Sequence, residues 1–372
     1  MKKIAAAIAT LVFVLPLYSQ TQTAKRPRIL GIDHVCFYTT SPDGVMQLYG
    51  GVLGLASAKP VEADEIERYI VGRQWVGFSS APDPNATDRL NHIAFATNNI
   101  IKLRQYLIAN GVQAPAIEGH SDHSLSFYVI DPEGHRIEFV ERGKTKESAS
   151  PKESAISRHM IHAGFLVYNR DAEDHFYRDL LGFRLYWHGG MQPGQTDWVA
   201  MQVPDGTDWL EYMLNQPPHP DLQVTGVMNH ISLGVVDMKK AQAMLEAHGW
   251  TPHGEEKAQM GKDGKWQLNL FDSDFTRIEL MEFKPVEKPC CADFTGPHPS
   301  ERNWRSHLEE NPFPPEEPQQ DPAEENSCKR INQRSIGRAC AQRHQPGLGR
   351  VVPHYRPIGA LHGERVARAV DE

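Results

Sequence analysis
Four residues of this chain have the types and the spacing for metal chemistry. His162 and Glu211 stand 49 residues apart, and His230 and Glu279 repeat the same step. Imidazole nitrogen and carboxylate oxygen suit divalent zinc, nickel, iron, manganese or cobalt, and the absence of a thiolate from the set argues against a soft metal. Two imidazoles and one carboxylate also make the facial arrangement of non-haem iron enzymes. A metal held this way offsets charge developing on an oxygen, and a neighbouring carboxylate moves a proton.

For the four to converge, strands must present them on one side. Side chains alternate across a strand. Met160, His162 and Gly164 are therefore expected on one face, with Ile161, Ala163 and Phe165 on the apolar other. Glu211 opposes Leu210 and Tyr212, His230 opposes Ile231, and Glu279 opposes Ile278 and Leu280. All four polar side chains then fall on the inner face of one curved sheet.

The strands belong to a fourfold repeat. Its openings are GIDHVCFYTT, RLNHIAFATN, HMIHAGFLVY and VMNHISLGVV, each with a histidine: His34, His92, His162 and His230. A one-sided helix follows each opening, clearest in IIKLRQYLIANG, AEDHFYRDLLG and MKKAQAMLEAHG and weaker over Val45 to Leu53. Paired strands follow, joined by turns such as Pro132-Glu133-Gly134 and Pro204-Asp205-Gly206. One such β-α-β-β-β unit leaves a sheet face uncovered, so the units should pair. The expected fold is α+β: four βαβββ units making two domains with cupped mixed sheets, over residues 30–141 and 158–284. Residues 142–157, rich in Lys, Glu and Ser, read as a linker. In the first domain His34, His92 and Glu138 take the corresponding places, and the counterpart of Glu211 falls near Gly77. A second metal there is left open, with Tyr128 on the face of Glu138 as an acid or substrate contact.

The ends differ from this core. Met1, Lys2 and Lys3 precede an apolar run to Leu17 and a small polar stretch, the layout of a signal peptide over residues 1–20. Export to the periplasm or the extracellular space is expected, with no stable membrane span after cleavage, because the run is short. Beyond Lys284 the periodicity stops and prolines crowd in, so 285–372 reads as a disordered tail. Four of the five cysteines, Cys290, Cys291, Cys328 and Cys340, lie in that tail, and the core is not expected to depend on disulfides. A net charge of -8 and no broad basic footprint argue against a nucleic-acid binder. A small-molecule substrate is expected, and a homo-oligomer is left open.

The motifs IDHVCFYTT, HFYRDLLGF, YVIDPEGHRIEFVE and NHISLGVVD resemble the vicinal-oxygen-chelate superfamily, over residues 30 to 284. That superfamily includes glyoxalase I, epimerases, bleomycin resistance proteins and extradiol dioxygenases. The resemblance to glyoxalase I implies His162, Glu211, His230 and Glu279 as ligands of one divalent metal, with Glu211 or Glu279 as the base. The resemblance to extradiol dioxygenases, which also carry four units, implies iron on His162, His230 and Glu279. There Glu211 stands where those enzymes have a histidine, and Asn269 where they have a tyrosine. The leading expectation is an exported metal-dependent isomerase, epimerase or lyase acting on a small oxygenated compound. The alternatives are an extradiol-type dioxygenase and a protein that sequesters a small molecule.

Overall fold
The four apolar openings form the central strands of two sheets in a computed structural model, which describes residues 25–61, 64–143, 152–252 and 257–301. The first sheet comprises β1 (Ile29–Thr39), β2 (Ala56–Ser57), β3 (Glu65–Val71), β4 (Gln74–Ser80), β5 (Leu90–Thr97), β6 (Glu118–Gly119), β7 (Leu125–Ile130) and β8 (Arg136–Glu141). The second comprises β9 (Met160–Leu166), β10 (Arg184–Gly189), β11 (Trp198–Gln202), β12 (Trp209–Met213), β13 (His230–Val235), β14 (Gln259–Met260), β15 (Trp266–Phe271) and β16 (Arg277–Glu282). The strand orders are β2-β3-β4-β1-β5-β8-β7-β6 and β10-β11-β12-β9-β13-β16-β15-β14. In each, two units meet through their opening strands, β1 with β5 and β9 with β13, both antiparallel, while each opening strand pairs in parallel with the last strand of its own unit. This is the tandem fold of four βαβββ units expected from the repeats.

Helices cover the apolar faces. Ile100–Ala109 buries Ile100, Leu103 and Leu107, and Met238–Ala247 buries Met238, Ala241 and Leu245. Asn99 and Asp237 cap them by accepting from the amides of Lys102 and Lys240. The first and third units depart from the expected helix. Short α turns over Pro42–Val45 and Arg170–Glu173 widen into π-helical Met46–Val52 and Asp174–Leu180, closed by Leu53 N to Leu48 O and Leu181 N to Phe176 O. The wide turns set Tyr49 and Tyr177 fully inside the core.

One hydrophobic core runs through both domains, and Gln74 ties them by donating to Ile32 O and Met160 O at 2.9 Å each. The described end of the expected linker is part of that core. Ala155 and Ile156 are buried, and Ser157 Oγ donates to Gly234 O at 2.6 Å. Its residues 144–151 lie outside the described residues, as do the expected signal peptide and everything past Glu301.

Two details correct the sequence reading. Opposite β13, strand β9 skips a pairing between His162 and Met160, so Ile161 sits in a bulge. An extra residue reverses the alternation on one side of itself. Met160 therefore joins the main core, and Ile161 packs on the cup side with Trp209, Met281 and Phe283. His162 keeps the inner face. Second, the chain does not leave the second domain at Lys284. Without regular structure, residues 285–301 run along its sheet as a strap. Thr295 N donates to Tyr186 O, Cys290 N to Lys262 O, and Gln202 Nε2 to Pro297 O. Cys290 and Cys291 are bonded to each other, and Cys36 is a buried thiol outside any disulfide.

Candidate metal centre
The central strands of the second sheet bring His162, Glu211, His230 and Glu279 to one point. The Nε2 atoms of His162 and His230 lie 3.1 Å apart. Glu279 Oε2 is 3.3 Å from His162 Nε2, and Glu211 Oε2 is 3.4 Å from His230 Nε2 and 3.8 Å from His162 Nε2. Gly164 makes the approach possible, since a Cβ there would stand 2.0 Å from the His230 ring. The tightest group of ligand atoms is His162, His230 and Glu279. Glu211 is the more open carboxylate, with its side chain 13% exposed against 5% for Glu279.

Charge and burial leave these groups ready to donate electron pairs. Burial and then the Arg277 guanidinium push the His230 imidazole down to about 4, so it is neutral, with one ring nitrogen able to donate an electron pair. Burial opposes ionisation of Glu279, yet the hydrogen bond from His162 and the charge of Arg277 win and bring it to about 2. Glu211 is lowered too: burial works against this, and His230 and His162 outweigh it. His162 Nδ1, Ser232 Oγ and Asn269 Oδ1 are buried without hydrogen-bond partners among the described residues. Buried polar atoms are seldom left unpaired, and Asn269 lines the cavity, where a bound substrate would satisfy it; the convergent Nε2 and carboxylate oxygens fit a divalent cation. Arg277 stands on the cavity side, 2.7 Å from His230 Nε2.

Around the four opens a cavity of about 330 Å³. Its walls include Tyr186, Trp187, Trp198 and Trp209, with Phe294 contributed by the strap. Of the tryptophans that could wall a site, Trp266 is 38% exposed and lies elsewhere.

The first sheet also brings its set together. His34 Nε2 is 3.0 Å from His92 Nε2 and 2.9 Å from Glu138 Oε2. Tyr128 pairs with Glu138 across the hairpin, with its ring 5.3 Å from that of His92. Cys36, in register with Gly77, joins this cluster. The strand period places Cys36 on the face of His34, so the sequence carried a signal for it that the histidine pattern obscured. Lys265 was missed as well, although Lys265, Gln267 and Asn269 alternate along one face and all line the second cavity.

The chain matches the Glyoxalase/Bleomycin resistance protein/Dioxygenase superfamily over residues 31–139 and 159–287, and it belongs to that superfamily. Solved structures share the fold at low identity. The 2,3-dioxygenase LapB from Pseudomonas sp. KL28 is 14% identical, with 74% of this chain and 96% of that chain covered and a TM-score of 0.50. A variant of homoprotocatechuate 2,3-dioxygenase from B. fuscum is 16% identical, covering 69% and 72%, with a TM-score of 0.53. The Mn(II)-bound glyoxalase from Novosphingobium aromaticivorans is 17% identical, covering 69% and 83%, with a TM-score of 0.52. The protein is thus a metal-dependent enzyme of this superfamily acting on a small molecule, with a candidate triad in each cup and a further group of Asp131, His135 and Glu173. No helix of the described residues is long and apolar enough to cross a membrane.

Proposed function
We propose that the second domain is an extradiol-type centre that cleaves a small vicinal-dihydroxy aromatic compound with dioxygen. His162, His230 and Glu279 would hold a divalent iron. The observation that carries this reading is the convergence of two imidazoles and one carboxylate at 3.1–3.3 Å, inside a cavity walled by aromatic rings. Bound there, iron would supply Lewis acidity and one-electron chemistry toward adjacent substrate oxygens. The protein's part is to orient and to move protons. Glu211, ionised and facing the cavity, would take the proton of a substrate hydroxyl. Arg277 would meet negative charge developing on oxygen. Tyr186, Trp187 and Trp209 would hold a planar ring and keep water out. Two of the three solved structures named above are 2,3-dioxygenases, and the third, a glyoxalase, matches equally well, so the choice rests on the site.

One observation favours a second reading. Glu211 Oε2 is near enough to both imidazoles to join as a fourth ligand. With four ligands the site would suit an isomerase, epimerase or lyase in which Glu211 or Glu279 shuttles a proton. Glu211→Gln separates the two readings. Full metal occupancy by mass spectrometry, with catechol-dependent oxygen uptake by the wild type, supports ring cleavage. Loss of the metal in this variant, with no oxygen uptake by the wild type, overturns it in favour of proton transfer. Export read from the first 20 residues remains part of the proposal, and a mature protein that still begins at Met1 would remove it.

A further inference from the structure
Lys265 is fully buried, yet it stands in the wall of the second cavity beside Glu211, Glu279 and Arg277. Its Nζ lies 4.6 Å from the centre of the Trp209 ring, 5.0 Å from Phe294 and 5.6 Å from Tyr186, a cage that favours a cation. Its polar neighbours are distant: Asp263 Oδ2 at 3.7 Å and Met281 Sδ at 3.7 Å. A tight ammonium–carboxylate pair closes to about 2.8 Å, so the three ammonium donors keep capacity to spare.

A purely structural ion pair would be the plain explanation for a buried lysine, and the first domain argues against it. Ser124 stands immediately before β7 as Lys265 stands immediately before β15. There the Ser124 amide donates to Asp122 Oδ1 at 3.0 Å, just as the Lys265 amide donates to Asp263 Oδ1 at 3.1 Å. The turn therefore needs the aspartate and is built equally well with serine. The ammonium is an addition peculiar to the open cup. Placing a cation in that cage without a use for it would cost the protein its desolvation. Burial indeed pulls the lysine below its ordinary value.

We infer that Lys265 is an anion anchor, and that the substrate of the second cup carries a carboxylate or an equivalent anionic oxygen besides the oxygens that meet the metal. The inference deepens the proposed function and rests on the same cavity. At about 330 Å³ the space suits one ring or a short chain with one such substituent.

The test uses benzoate and benzamide, a charged and a neutral probe of nearly one shape, titrated by calorimetry into metal-loaded full-length protein. Wild type should bind benzoate at least tenfold tighter than benzamide. Lys265→Met, which fits an apolar cage, and Lys265→Ser, which copies the first domain, should both bring the two affinities within twofold while metal content is unchanged. Equal binding of the two probes by wild type overturns the inference. So does a benzoate preference that survives both variants, because the metal alone would then be the anion site. Oxygen uptake with 3,4-dihydroxybenzoate, which carries both the vicinal hydroxyls and the anion, is scored separately in the same preparations. Its absence alongside a Lys265-dependent benzoate preference would sink ring cleavage and leave the anchor standing.

Discussion
In the first cup, Asp33 accepts from Arg142 and holds His34 Nδ1 at 2.8 Å. Burial would raise that carboxyl, but Arg142 and His34 hold it well below the usual carboxylate range. In the second cup Ile161 and Phe283 stand in those two places and pack on each other, so His162 Nδ1 is left bare. The same trade recurs across the sheet. Arg136 lies 4.2 Å over the Tyr128 ring, whereas Arg277, with Asn269 where that ring would be, turns to His230. Gly77 replaces Glu211, and the space goes to a Glu65–Arg68 ion pair with Arg68 stacked 3.5 Å over Trp75. What remains of the first cavity is about 20 Å³. Each cup holds a carboxylate against its two imidazoles, so the contrast lies in room: about 330 Å³ opens beside Glu279, against the remnant beside Glu138. Two copies of one unit thus differ in how much space their clusters leave for a ligand.

The division is most exposed to a matched pair of histidine variants. His230→Ala should abolish metal binding in the second domain and lower turnover by about 1,000-fold or more, since a direct ligand is gone. His92→Ala should leave turnover within about threefold while costing about 3 kcal/mol of stability, because buried partners lose a bond. Parallel metal analysis, turnover and melting curves check both, and comparable losses of turnover would make the first cup catalytic too.

Filling the first cup further should fail. A Cβ at Gly77 already meets Cys36 Sγ and the Trp75 ring at 2.6 Å, and Glu65 Oε1 at 3.0 Å. Gly77→Glu is expected to destabilise by about 3 kcal/mol through crowding and like charge, without giving the first domain the second's affinity for metal. A stable variant with a new tight site would show that Gly77 alone sets the difference.

Cutting the chain after Lys284 should cost about 2 kcal/mol, from the contacts of Phe294 and its neighbours, and should weaken benzoate binding by opening the cage of Lys265. An unchanged melting temperature and affinity would mean that the strap is no part of the second cup.

The smallest effect concerns the helix entrances. Glu173 occupies in the third unit the place of Val45 in the first, fully buried beside Asp131. Burial and then the charges of Asp131 and Glu133 push it from 4.5 up to about 9. The folded state therefore keeps a proton that the unfolded chain releases near 4.5. This group's contribution is full below that pH and is lost as pH rises toward 9. Glu173→Val should flatten that loss and raise the melting temperature at pH 8 by a few degrees, for about 1–2 kcal/mol. Melting curves that fall in parallel for both proteins across this range would rule the glutamate out as their cause.

Much of this architecture is local, and the sequence by itself determined it. Apolar residues every second position, turn signals such as Pro132-Glu133-Gly134 and a histidine in each opening specify strand faces and four repeats, because side-chain direction in a strand depends on count alone. That is why His162, Glu211, His230 and Glu279 could be named together before their distances were known. The bulge at Ile161 escaped this logic because an unpaired residue leaves no mark in the pattern of its own strand. Tertiary structure alone decided which cup is open. That outcome depends on residues far apart in the chain: Arg142 reaching Asp33, Arg68 lying on Trp75, and Phe294 of the strap closing over Lys265. Periodicity says which face a side chain shares. It cannot say which distant side chain will fill the space beside it, because that is settled by packing and by which buried charges find partners.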